Sequence, residues 1–157
     1  LHLLDLIASK KNKNIIFHIC TRSNLNLQIV KKLSDKMNIV IHFNKSDGEI
    51  KTIIKDAQFM VLPSFTEGFG LSLLESISLN TPIIATENTS LFDFQKIAKV
   101  GYLCKDFVEM ANVICSDAIL NLDNYGDFLT NCKMVSAEYT EDKYTKELEK
   151  ILYKIEV

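Results

Sequence analysis

Two carboxylates, Glu67 and Glu75, stand with seven residues between them in residues 59–85, FMVLPSFTEGFGLSLLESISLNTPIIA. An ionised carboxylate only accepts hydrogen bonds, and it can take two from a vicinal diol. Gly68-Phe69-Gly70 lies between the pair, and the apolar residues from Leu71 through Leu74 and Ile77 then take a helical period. The start of such a helix presents unpaired N–H groups, here those of Gly70 to Leu73, at the positive end of the helix dipole, which favours a phosphate or diphosphate. The two glycines let the anion approach the backbone closely. A carboxylate repels a phosphate beside it, so both must be aimed at hydroxyl donors instead. Diphosphate together with diols describes a sugar nucleotide.

These groups are positioned by a unit that is itself readable. Residues 59–62 form an apolar run too short for a helix and stopped by Pro63-Ser64, which reads as a buried strand reaching its carboxyl end. Asn80-Thr81-Pro82 ends the following helix, because proline cannot continue it and disfavours helical geometry in the residue before it. Ile83-Ile84-Ala85 begins the next strand. Strand, glycine loop, helix and strand in a parallel sheet put the loop at the carboxyl edge, where ligands of open α/β sheets bind. Taken singly, Glu67 also reads as an acidic residue complementing a helix start capped by Ser64 or Thr66, and Glu75 as a solvated helix residue. The whole constellation favours a site.

PSFTEGFGLSLLES followed by NTPIIAT resembles the Glu-x7-Glu signature of retaining, nucleotide-sugar-dependent glycosyltransferases of family four (group 1), found in the carboxy-terminal Rossmann domain of the two-domain GT-B fold. The resemblance implies that Glu67 contacts hydroxyls of the donor sugar near the reacting centre, as the catalytic residue, and that Glu75 holds the nucleotide ribose. It implies that backbone N–H groups of Gly68, Phe69, Gly70 and Leu71 meet the sugar and diphosphate, with Ser64 and Ser72 beside them. The loop from Phe43 and Asn44 to Ser46 would run along the nucleotide base. No metal or other cofactor is expected, since basic groups and helix N–H groups meet the diphosphate charge. Partners would be the nucleotide-sugar donor and a glycan or lipid-linked acceptor held by an N-terminal domain. Such an enzyme of polysaccharide biosynthesis would be bacterial and cytoplasmic, at the inner membrane face if it associates peripherally.

The rest of the chain supplies the frame. Short apolar runs at residues 15–20, 39–43, 59–62, 82–86 and 101–103 alternate with helical segments, so the fold expected is α/β: a doubly wound, Rossmann-like, mostly parallel sheet flanked by helices. Helices are read at residues 1–10, 25–37, 49–55 with Asp47 as cap, 106–121, 124–135 and in the tail at 138–157, and a polar loop at 86–93. Residues 14–20 read as a buried strand. His18 and His42 each interrupt an apolar strand and His2 lies in the first helix; none is assigned a function. The polar turn Thr21 to Asn24 lacks the glycines usual in the family and leaves Arg22 without a role, while Lys45 is placed to add charge near the diphosphate. Ser76 and Asn80 stand where the family usually has Ala and Gly. The family's opening strand, with its basic loop, and its acceptor domain have no counterpart in these residues. A sheet without that central strand is left with two unpaired edges.

At 157 residues the chain is the size of one domain. A net charge of −2 gives no global attraction for nucleic acid. The four cysteines lack the spacing of a zinc or redox motif and read as free thiols, and no apolar run approaches the roughly 20 residues of a spanning helix. The rival from another class is a noncatalytic Rossmann-like interaction module. A dinucleotide enzyme fits less well, because the glycine loop does not follow the first strand.

Overall fold

The computed structural model describes residues 2–10, 14–22, 31, 33–64, 70–87, 89, 91–143 and 145. In chain order the elements are α1 (His2–Ser9), β1 (Ile16–Thr21), β2 (Asn38–Phe43), α2 (Asp47–Asp56), β3 (Met60–Leu62), α3 (Leu71–Ser78), β4 (Ile83–Thr86), α4 (Leu91–Ile97), β5 (Gly101–Cys104), α5 (Phe107–Ile114), α6 (Asp117–Leu120) and α7 (Tyr125–Ser136). All strand pairing is parallel. Ile16 lies opposite Asn38 in one sheet, and Met60, Ile83 and Gly101 align in the other, ordered β3-β4-β5. The five strands fall where the apolar runs put them, and the fold is the α/β arrangement the alternation demands.

The sheet, however, is in two pieces. Among the described residues β1 pairs only with β2, and β3 only with β4, so each piece ends in an open edge. The pieces share one hydrophobic core, in which Leu3 and Ile7 of α1, Leu33, Met37, Ile84 of β4 and Met110 and Ile114 of α5 are buried and Phe17 and Ile39 pack against them. A second core on the opposite face gathers Leu73 and Ile77 of α3, Ile83 and Ala85 of β4, Leu91, Phe94, Cys132 and Val135. Successive residues of a strand point to opposite faces, so β4 feeds both cores and is buried at every position. It is the axis of the molecule.

Several expectations are corrected. β1 is not buried throughout: its residues alternate, and Ile16 is 59% exposed with Val40 of β2 at 41% on the same face. An apolar run does not say whether a second layer covers its far side. On that open face His18 Nδ1 and His42 Nε2 lie 2.9 Å apart with their rings stacked, so the two histidines serve as hydrogen-bond partners for each other. The single helix read at 106–121 is two. Asp106 caps α5 by accepting from the Glu109 N–H, the helix stops at Cys115, and α6 restarts after Ser116, whose hydroxyl donates to the Val113 carbonyl. The loop read at 86–93 gives way to α4 at Leu91, because Leu91 and Phe94 are drawn into the second core. Most of the helix read at 25–37 and of the tail at 138–157 lies outside the described residues.

All four cysteines are free. Burial, with the carboxylates of Glu109, Asp106 and Glu87 nearby, pushes the Cys104 thiol up to about 12, and burial alone does the same to Cys132. The thiolate is the reactive form. Near pH 8 a thiol-alkylating reagent should therefore label Cys20, on the open face of β1, and spare Cys104 and Cys132 until denaturant is added. Mass spectrometry of the labelled peptides reads the result. Labelling of either core cysteine at the rate of Cys20 in the folded protein would contradict the core described above.

Candidate functional site

Within each sheet the parallel strands end on one side, and the loops that follow them carry the residues of interest. The Thr86 hydroxyl donates to the Ser64 carbonyl, tying the end of β3 to that of β4, and the Glu87 N–H donates to the Cys104 carbonyl at 2.9 Å. Residues 65–69, with Glu67, Gly68 and Phe69, lie outside the described residues, between Ser64 and Gly70. Gly70 precedes α3 with φ 69° and ψ 55°, left-handed values that a side chain would oppose. Its carbonyl accepts from the Leu73 N–H at 2.8 Å. That N–H is therefore not free for an anion, as the sequence had suggested. The N–H groups of Leu71 and Ser72 come earlier in the turn, where no carbonyl of the helix reaches them.

Leu73 and Ile77 anchor α3 in the second core, and this rotation leaves Glu75 part-exposed with Lys51 Nζ 3.7 Å from its Oε1. The departures at Ser76 and Asn80 have local reasons. The buried Ser76 hydroxyl donates to the Thr81 carbonyl at 2.9 Å, and Asn80 takes φ 62°, a conformation asparagine tolerates better than most residues.

The facing wall is α2 and the loop before it. Ser46, not Asp47, caps α2: its hydroxyl accepts from the Glu49 N–H, while the Ser46 N–H donates to the Glu49 carboxylate at 2.9 Å, a reciprocal capping box. Asp47 is left one position into the helix, where its carboxylate meets Arg22 Nη2 at 3.2 Å. Lys45 Nζ sits 2.7 Å from Glu49 Oε1, and this contact first, then the Ser46 bonds, hold the Glu49 carboxyl down at about 2. Lys45 and Arg22 are thus both engaged in ion pairs. The Asn44 N–H donates to the Thr21 carbonyl at 2.9 Å, fixing the β2 loop against the end of β1, and Phe43 is 53% exposed there.

Asp47, Ile50, Lys51 and Glu75 line one cleft, and Ile50 also closes a neighbouring one lined by Cys20, Thr21, Arg22, His42 and Lys45. The first combines an acceptor, a cation and an apolar wall, groups that can bind a hydroxyl-rich, charged small molecule. Among the described residues no group of three or more His, Cys, Asp and Glu converges as metal ligands would.

The family profile of the group 1 glycosyl transferases matches residues 1–119. The chain belongs to that family. The fold of this group 1 glycosyltransferase chain is similar to three solved structures: TarM (23% identity, TM-score 0.71, 94% of this chain and 30% of that one), HepE of Anabaena in complex with UDP (16%, 0.73, 97% and 44%) and sucrose-phosphate synthase of Thermosynechococcus elongatus (19%, 0.71, 98% and 41%). The chain thus spans less than half the length of each. No curated protein matches it. Among the described residues no helix is long and apolar enough to cross a membrane.

Of the residues singled out from the sequence of this group 1 family member, the structure places Ser64 just beyond β3, Gly70, Leu71 and Ser72 at the start of α3, Glu75 further along α3, and Phe43 and Asn44 at the end of β2. It also brings in Lys51 and Asp47, which no motif marks. The apolar spacing Ile50, Ile53, Ile54 was the only available signal that this face of α2 turns inward.

Proposed function

We propose that the chain is the donor-binding, carboxy-terminal Rossmann-like domain of a retaining GT-B glycosyltransferase that moves a hexose from a nucleotide-diphosphate sugar to a glycan or lipid-linked acceptor. The observation that carries this reading is Glu75, set in the cleft between α3 and α2 one turn beyond a left-handed Gly70. Glu75 accepts the ribose hydroxyls, the N–H groups of Leu71 and Ser72 meet the diphosphate, and the edge of the base lies along Phe43 and Asn44. Ser64, Glu67, Gly68 and Phe69 serve the sugar. HepE, similar in fold, was solved with UDP, which supports a nucleoside diphosphate as the ligand class.

Retention requires the acceptor to arrive on the face from which the diphosphate leaves. The demand on the site is therefore to stabilise departing negative charge, which oriented N–H groups at a helix start do without reorganising. Arg22 and Lys45, each paired with a carboxylate, contribute little net charge to that task.

Titration of the isotope-labelled protein with nucleoside diphosphates, followed by NMR, is the test. Shifts are expected in residues 64–75 and 43–46. If saturating ligand left these resonances in place while the spectrum showed a folded domain, the proposal would fail and the interaction-module reading would take its place.

A further inference from the structure

An aspartate and a lysine four positions apart on a helix are natural partners, and Asp47 and Lys51 have that spacing on α2. Asp47, however, is met by Arg22 from the end of β1 at 3.2 Å, and Lys51 reaches instead across the cleft to Glu75 of α3 at 3.7 Å. α2 thus makes two separate ion pairs, one through Asp47 to Arg22 beyond the end of β1 and one through Lys51 to Glu75 on α3. The side chains of Lys51 and Glu75 are 55% and 39% exposed, too solvated for the pair to be a main source of stability. What a cation beside one carboxylate oxygen does is limit how the group turns, and so where the second oxygen points.

We propose that Lys51 is a positioning residue for nucleotide recognition, holding Glu75 so that its carboxylate meets the ribose diol of the donor. This rests on the donor-binding reading above. Loss of Lys51 then weakens binding of a ribonucleotide more than that of its 2′-deoxy counterpart, whereas a merely structural loss weakens both alike.

The experiment measures calorimetric affinities of UDP, ADP and GDP, and then compares the tightest binder with its 2′-deoxy form in wild-type protein, Lys51→Met, Lys51→Arg, Glu75→Ala and the Lys51→Met/Glu75→Ala double variant. Wild type should prefer the ribonucleotide, and Glu75→Ala should abolish that preference. Lys51→Met should cut it by about three- to tenfold with an unchanged thermal midpoint, and Lys51→Arg should keep most of it. The double variant should discriminate no worse than Glu75→Ala, because residues acting through one another are not additive. Wild-type discrimination in Lys51→Met, with discrimination lost in Glu75→Ala, overturns the role of Lys51 alone. Wild-type discrimination in Glu75→Ala, or no binding of any of the three nucleotides, overturns the reading of the site as well.

Discussion

Glu67→Ala, in an active enzyme that carries this domain, is expected to lower kcat by about a hundredfold or more, since misplacing a reacting centre by about 1 Å costs on that order. The proposed role gives the reason. In sequence Glu67 stands between two described residues, Ser64, tied to β4 through the Thr86 hydroxyl, and the left-handed Gly70 that precedes α3. In that proposed role the Glu67 carboxylate would fix the sugar hydroxyls and hence the orientation of the anomeric carbon relative to the leaving diphosphate. Glu75 is proposed to bind the ribose, which does not change during the reaction, so Glu75→Ala should chiefly raise the donor KM and leave kcat nearly intact. Steady-state kinetics with the donor varied separate the two. Glycosyl transfer at an undiminished kcat in Glu67→Ala would show that the sugar is positioned by other groups.

Gly101→Ala is expected to cost about 3 kcal/mol or more, a value reserved for strain and overpacking in a core. For a chain of this size that is a fall in thermal midpoint of about 6–12 °C. Gly101 opens β5 with φ 151° directly opposite Ile83 of β4, and an added Cβ would lie 1.8 Å from the Ile83 carbonyl oxygen and 2.7 Å from its nitrogen. Both are backbone atoms, so no rotamer change relieves the clash. The strand that must move is β4, buried at every position and shared by both cores. Gly126→Ala makes the control, because nothing lies within 4 Å of a Cβ there and Gly126 sits in α7; its midpoint should hold or rise slightly. Equal midpoints for Gly101→Ala and wild type would show that β4 and β5 are not packed this closely.

The local chemistry of the chain determined much of this by itself. Apolar runs of strand length between helical periods imposed five strands and their order with helices, because each pattern fits only one backbone period. Pro63 and Pro82 bounded the central unit, and glycine was the residue suited to the left-handed turn at position 70. The cap of α2 was one residue off, Ser46 in place of Asp47, since two adjacent residues can each cap and the choice falls to the one whose backbone is extended; Ser46 has φ −66° and ψ 159°. Decisions that depend on a partner distant in sequence came only from the tertiary structure. Burial of β1 on one face rather than two, the division of the strands between two sheets, and the mutual pairing of His18 with His42 all depend on what packs alongside. The same holds at the site. Glu75 was singled out by its spacing from Glu67 and is proposed as a site residue, whereas Lys51 and Arg22 acquire their partners across 24 and 25 positions of chain, and a side chain's spacing along its own element carries no record of the charge that folding will set in front of it.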